Sequence, residues 1–188
     1  MNAAAARLPL SPSKTLIKFV DEIALSGDGP VLDAPCGYGR NAVALAARGR
    51  TVVAVDNDRR RLAVLERVKG VYIAESASPG VSIGRILTVC ADLEANRWPI
   101  APSSVSAIVC IHFSMITLMP RFVSSLRAGG CIYIETVGGQ GQNYRELPRA
   151  GQLRDLLCRH ADFRYYREQK VGPPEWNTVS VKLFARKW

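Results

Sequence analysis

The sequence predicts an α/β chain organised as a doubly wound, mostly parallel sheet that closes with a C-terminal antiparallel hairpin. Three observations carry this. Residues 31–41, with the apolar run 42–47 behind them, read as strand, glycine turn and helix. Strand-like runs at 51–55 and 86–91 are each followed by a carboxylate, Asp56 and Asp92. In the tail, Val179, Val181, Leu183 and Ala185 alternate with Ser180, Lys182, Phe184 and Arg186, the period of a strand, and Phe163 and Tyr165 alternate in a preceding arm.

The glycine turn is the most informative stretch. Gly37 and Gly39 allow tight turning and close approach of the backbone to a ligand, because no Cβ blocks the way. The amides of the helix that follows point into the turn and favour hydrogen-bond acceptors or negative groups. Asp56, at the end of the next strand, stands where a carboxylate holds a nucleoside ribose. Residues 37–42 satisfy the loose dinucleotide pattern G-x-G-x-x-G/A. Asp33, four residues before the first glycine, opposes that reading. Its charge would repel a pyrophosphate but attract an ammonium or sulfonium group. S-adenosylmethionine is a nucleoside that carries both.

Residues 31–39 resemble motif I of the class I S-adenosylmethionine-dependent methyltransferases, and Asp56 resembles their second acidic motif. The resemblance implies a Rossmann-like methyltransferase fold with a seven-stranded sheet, extending over residues 1–188 as a single methyltransferase domain with 1–29 as a helical segment packed on it. It implies S-adenosyl-L-methionine as cofactor, held by Asp33, Ala34, Cys36, Gly37, Tyr38, Gly39, Asn41, Asp56, Asn57, Asp92, Leu93 and His112. In that family an acid in the position of Asp92 accepts a hydrogen bond from the adenine amino group, and Leu93 would pack on the ring. The alternative is that Asp92 caps a short helix at 93–95.

Composition narrows the class. A chain of 188 residues fits one domain and buries a core without disulfides. The five cysteines, Cys36, Cys90, Cys110, Cys131 and Cys158, are odd in number and form no C-x-x-C pair, which reads as free, mostly buried thiols in a reducing compartment, with no metal site. No apolar run is long enough to span a membrane, and a cytoplasmic location is expected. The formal charge of +9 has two readings, a polyanionic partner or a scattered basic surface.

The remaining elements follow in order. Ser11 and Pro12 read as the start of a helix with Leu16, Ile17, Val20, Ile23 and Ala24 on its apolar face, ending near Gly27. A helix over 38–48 stops at Gly49. Asp58 caps the next helix, whose buried stripe is Leu62, Leu65 and Val68, with Arg59, Arg60 and Arg61 in solvent. Residues 70–85 read as a connection, with a short strand at 71–74. A fourth strand covers 107–111, a helix 113–127 with Pro120 as its true start or a kink, a turn 128–130 and a fifth strand 131–135. A helix over 151–160 turns Leu153, Leu156 and Leu157 inward.

The acceptor side is less explicit. His112 follows the fourth strand, where ligands of open parallel sheets bind, and is a candidate general base or acceptor contact. Glu135, Tyr144 and Asn143 are further candidates, the last two in a glycine-rich stretch at 138–144. The chain lacks the Asn/Asp-Pro-Pro-aromatic sequence of base-amino methyltransferases after its fourth strand. The chain is similar in motif and length to tellurite-resistance and thiopurine-type methyltransferases, which implies a small-molecule acceptor. RNA or protein methylation is the second reading, and a non-catalytic S-adenosylmethionine-binding subunit the third.

Overall fold

The computed structural model describes residues 11–95, 97–113, 116–136 and 146–188. Strands form where apolar and β-branched residues run together: β1 (Val31–Asp33), β2 (Thr51–Asp56), β3 (Arg85–Cys90), β4 (Val105–Ile111), β5 (Leu126–Glu135), β6 (Ala161–Lys170) and β7 (Val179–Lys187). They build one seven-stranded sheet in the order β3-β2-β1-β4-β5-β7-β6. The pairings from β3 across to β5 are parallel, and β7 runs antiparallel to both β5 and β6. The doubly wound, mostly parallel sheet with its closing hairpin is therefore as expected. Strand order reverses between β1 and β4, and in such sheets the ligand crevice opens beyond the carboxyl ends at that point.

Alternate residues of each strand feed two cores, one per face. Val31, Val52, Ala107, Val109, Cys131 and Tyr133 pack with helices α1 (Val20–Ala24), α2 (Arg40–Ala46) and α3 (Arg59–Ser76). Leu32, Val55, Ile108, Ile132, Val181 and Leu183 pack with α4 (Met119–Ser125) and α5 (Gln152–Leu157).

The structure corrects several local expectations. The N-terminal helix is broken: a 3₁₀ turn at Leu16–Lys18 precedes α1, its N-cap is Thr15 rather than Ser11, the Ser13 hydroxyl accepts from the Thr15 and Leu16 amides, and Ile17 is exposed. The break at Phe19 turns that ring onto Phe184, Tyr165 and Tyr133, with centroids 4.8, 5.4 and 6.0 Å away. Phe184, which falls among the polar series of the tail by alternation, is consequently buried. Residues 71–76 are helix, because α3 continues through Gly70 and buries Ile73 with Leu62 and Leu65, while Val68 is only half covered. Asp58 caps α3 as expected, accepting from the Arg60 and Arg61 amides.

Pro120 lies in the first turn of α4, where its missing N–H leaves no helix bond unmade, so the helix begins there and a 3₁₀ turn, Ile116–Leu118, precedes it. The 128–130 turn is absorbed into β5 as an irregularity between the pairs Val105↔Leu126 and Ala107↔Cys131. Leu153 and Leu157 of α5 are buried but Leu156 is exposed. All five cysteines are free; Cys36, Cys110 and Cys131 are buried, whereas Cys90, at the rim of the edge strand β3, and Cys158 are exposed. No helix among the described residues is long and apolar enough to cross a membrane.

Candidate functional site

β1 delivers Asp33 to the switch point and the chain then turns through residues 34–39. The turn is held by backbone bonds: Ala34 N–H donates to the Val109 carbonyl at 3.0 Å, Cys36 N–H to Val55 at 2.8 Å and Gly39 N–H to Cys36 at 2.9 Å. Gly37 and Gly39 both lie at positive φ, +55° and +79°. A Cβ on Gly37 would meet nothing, so its open side is available to a ligand, whereas a Cβ on Gly39 would stand 2.5 Å from Leu65 Cδ1. Asp56 is buried and ties this turn to the end of β2, its Oδ2 accepting from Gly37 N–H at 2.8 Å and its Oδ1 from Asp58 N–H at 2.9 Å.

Beyond the turn opens a cleft of about 320 Å3 lined by Pro35, Cys36, Gly37, Tyr38, Arg40, Asn41, Asp56, Arg61, Ile111 and His112. A neighbouring lobe of about 210 Å3 is lined by Asn57, Ala91, Asp92, Leu93, Glu94 and Phe113. It shares Pro35, Asp56, Arg61 and His112 with the first. The two lobes thus meet over Asp56. Of the residues expected to hold the cofactor, Cys36, Gly37, Tyr38, Asn41, Asp56 and His112 line the larger lobe, and Asn57, Asp92 and Leu93 line the smaller. Asp92 Oδ1 accepts from Glu94 N–H at 2.9 Å; residues 93–95 form a turn rather than the helix of the alternative reading. Ala34 and Gly39 are buried in the turn itself.

Asp33 is fully buried and does not itself line the cleft. Neither of its carboxylate oxygens has a hydrogen-bond partner among the described residues. Burial pushes its pKa up from 3.8 to about 7; the nearby Ala42 amide and the Arg40 charge pull it back, and Asp56 adds to the rise. A buried carboxylate without a partner is costly, and a cation beyond the turn relieves that cost. Burial also drives the Cys36 thiol well above its ordinary range, so this cysteine is a wall of the cleft and not a nucleophile.

His112 sits where β4 ends, at φ +62°, a backbone conformation uncommon outside glycine. Its N–H donates to the Glu135 carbonyl at 2.7 Å, which fixes the turn. Burial and the Arg40 charge lower its pKa, against an opposing pull from Glu135. The imidazole is accordingly neutral at neutral pH and available to accept a proton.

Glu135 is buried, and its side chain is committed. Oε1 accepts from the Ser13 and Tyr133 hydroxyls, and Oε2 faces Lys182 Nζ at 3.4 Å. Lys182 Nζ also donates to Thr15 Oγ1 at 3.0 Å, and Ser13 N–H donates to Asn41 Oδ1 at 3.1 Å. The N-terminal segment is thereby fastened across the sheet from the cleft wall to β7. Tyr144 and Asn143 lie outside the described residues.

Sequence reasoning missed Pro35, Arg40, Arg61, Ser13 and Lys182. Arg61, assigned to solvent, leans over the Tyr38 ring at 5.8 Å and pairs with Asp58 at 3.2 Å, so it forms the rim shared by both lobes. Its position in the first turn of a helix whose cap lies two residues after Asp56 was the available signal. Arg40 follows the second glycine directly, and that adjacency was the signal for it.

The residues present fit a nucleoside with a positively charged tail. An unpartnered buried carboxylate supplies the opposing charge, the glycine turn leaves an open approach, and Asp56, Asn57 and Asp92 offer acceptors along the two lobes.

Comparison with known proteins agrees. A family model described as a methyltransferase domain matches residues 31–130, just over half of the chain. No curated protein sequence matches. Among solved structures, TehB from Haemophilus influenzae is 19% identical with a TM-score of 0.63 over 91% of this chain and 62% of that one, so the chain spans under two thirds of TehB's length. A SAM-dependent methyltransferase from Methanosarcina mazei is 16% identical with a TM-score of 0.62, covering 94% of this chain and 98% of its own. The tRNA (m1A58) methyltransferase TrmI from Aquifex aeolicus is 14% identical with a TM-score of 0.56 over 91% and 68%. At these identities the structural matches speak for the fold, and the family match assigns the chain. The protein belongs to the methyltransferase-domain family of the class I, Rossmann-like fold, for which S-adenosyl-L-methionine is the expected cofactor.

Proposed function

We propose that the chain transfers the methyl group of S-adenosylmethionine to a nucleophile on a small molecule. The observation that carries the reading is Asp33, a fully buried carboxylate with no partner at the foot of an open glycine turn. When bound, S-adenosylmethionine supplies a methyl group on a sulfonium, a leaving group that needs no further activation. The chain's task is then to hold the acceptor in line with that methyl and exclude competing water.

Asp33 favours the cationic tail by charge, the Gly37 turn and Asn41 flank it, Asp56 accepts from the ribose hydroxyls, and Asn57, Asp92 and Leu93 receive the base. His112 borders both lobes and is neutral, which supports its assignment as the group that takes a proton from an alcohol or phenol acceptor; a thiolate or amine needs no such help. Glu135 is a positioning residue, since Ser13, Tyr133 and Lys182 already occupy it. The two lobes, of about 320 and 210 Å3, together have the size of a site for one small ligand, as the cofactor requires.

RNA methylation is the second reading, favoured by the formal charge of +9 and by likeness in fold to a tRNA methyltransferase. Calorimetric titration with S-adenosylmethionine, S-adenosylhomocysteine and NAD in parallel tests the cofactor. Saturable binding of the first two but not NAD is expected, and binding of NAD alone overturns the reading. Acceptor screens in the presence of S-adenosylmethionine, small molecules before RNA, then test the substrate class.

A further inference from the structure

We propose that a basic pocket beside the cofactor cleft holds an oxyanion, phosphate or carboxylate, of the small-molecule acceptor. The inference rests on the methyltransferase reading and narrows its acceptor class.

The pocket, of about 250 Å3, is lined by Lys18, Arg167 and Lys182 together with Thr15, Gln169 and Ser180, over the ring of Tyr165. Three cations enter it and no acid does. Strand register explains how they converge. Glu135 of β5 pairs with Lys182 of β7, and Lys182 pairs with Arg167 of β6, so one row across the sheet reads minus, plus, plus. Like charges directly opposite on neighbouring strands are unfavourable.

The single carboxylate of the row does not balance them. Glu135 Oε2 stands 3.4 Å from Lys182, while the side chains of Lys18 and Arg167 make no ion pair or hydrogen bond among the described residues. Two residues along, on the same face, Gln169 pairs with Ser180, adding an amide and a hydroxyl donor. A guanidinium, ammonium groups and neutral donors around one recess form the donor set that oxyanions bind. An anion there offsets the repulsion among these like charges.

The pocket adjoins the chemistry. Ser13 N–H bonds Asn41 of the cleft and Ser13 Oγ bonds Glu135, and Thr15, only two residues further, lines the basic pocket. The bonded series Asn41, Ser13, Glu135 and Lys182 thus joins the cleft wall to the basic pocket, and in the proposed arrangement an acceptor anchored by its anion there has its nucleophile oriented toward the cleft. A recess for one anionic group also favours a small acceptor over RNA, whose backbone needs a continuous basic track.

The test is calorimetric titration of the full chain, with S-adenosylmethionine present, against inorganic phosphate and, separately, acetate at low ionic strength. Wild type and the double variant Lys18→Ala/Arg167→Ala are compared, with Arg167→Gln as a milder second variant. Saturable binding of phosphate or acetate to wild type, weakened about tenfold or more in the variants with unchanged S-adenosylmethionine affinity, is the expected result. The stronger of the two anions identifies the acceptor group.

Anion affinity that is equal in wild type and variants, or absent from wild type, overturns the pocket and leaves the cofactor assignment standing. Failure of wild type to bind S-adenosylmethionine overturns the underlying reading instead. An oligoribonucleotide that displaces phosphate with a steep salt dependence overturns the small-molecule acceptor.

Discussion

Asp33→Asn is the most informative single change, because it separates stability from binding. The Asp33 carboxyl is raised from 3.8 to about 7 by burial, so the folded state binds its proton more tightly than the unfolded chain. With the folded pKa above the unfolded one, the full stability is present below about pH 4 and is lost as pH rises through about 7. At about 1.4 kcal/mol per pH unit the loss over that window is of order 4 kcal/mol, of which about 3 falls above pH 5. Asparagine does not titrate. Urea unfolding of the cofactor-free protein should therefore show the advantage of Asp33→Asn over wild type growing by about 3 kcal/mol between pH 5 and pH 8. Binding should move oppositely. Wild-type affinity for S-adenosylmethionine rises with pH up to about 7, as the carboxylate ionises, and that of the variant is weaker and flat. A stability difference that does not change with pH, together with unaltered cofactor affinity, would refute both the unpartnered carboxylate and its role toward a cation.

Other consequences are tested more simply. His112→Ala should abolish turnover of an alcohol or phenol acceptor while weakening cofactor affinity by calorimetry only slightly, since His112 is one of several residues lining both lobes; unaltered turnover removes His112 from the chemistry. Because its pKa is lowered, the acid limb of wild-type kcat/KM should lie below pH 6.5, and the stability contributed by the neutral ring should be lost as pH falls through that range. Gly39→Ala forces a Cβ to 2.5 Å from Leu65 Cδ1 at φ +79° and should destabilise by about 2 kcal/mol or more in thermal melts. Gly70→Ala, in an open stretch of α3, should instead stabilise by up to about 1 kcal/mol. Glu135→Gln leaves Lys182 without its carboxylate and weakens the bonds from Ser13 and Tyr133, so it should cost about 2 kcal/mol and speed tryptic cleavage at Lys14 and Lys18. Unchanged cleavage would show that the N-terminal segment is held by packing alone.

Much of the cleft lining was legible because it is local. Residues 31–41 carry their own turn, and Asp56, Asn57 and Asp92 occupy strand ends, where position along the chain already determines which edge they face. The same logic predicted the hairpin from the alternation at 179–186. Helix limits were less legible: α3 runs through residues whose composition suggests a strand or turn, because packing of Tyr72 and Ile73 on the first core outweighs local preference.

The sequence by itself determined the doubly wound class, the glycine turn and the acids at the strand ends, since period and short-range spacing suffice for each. Tertiary structure alone decided that Glu135 is held by Ser13, Tyr133 and Lys182, that Arg61 reaches the rim of the cleft, and that Lys18, Arg167 and Lys182 share a recess. These groups come from distant segments; the Lys182 bond to Thr15 alone spans 167 residues. Their proximity is set by strand order and register, and no spacing along the chain encodes either.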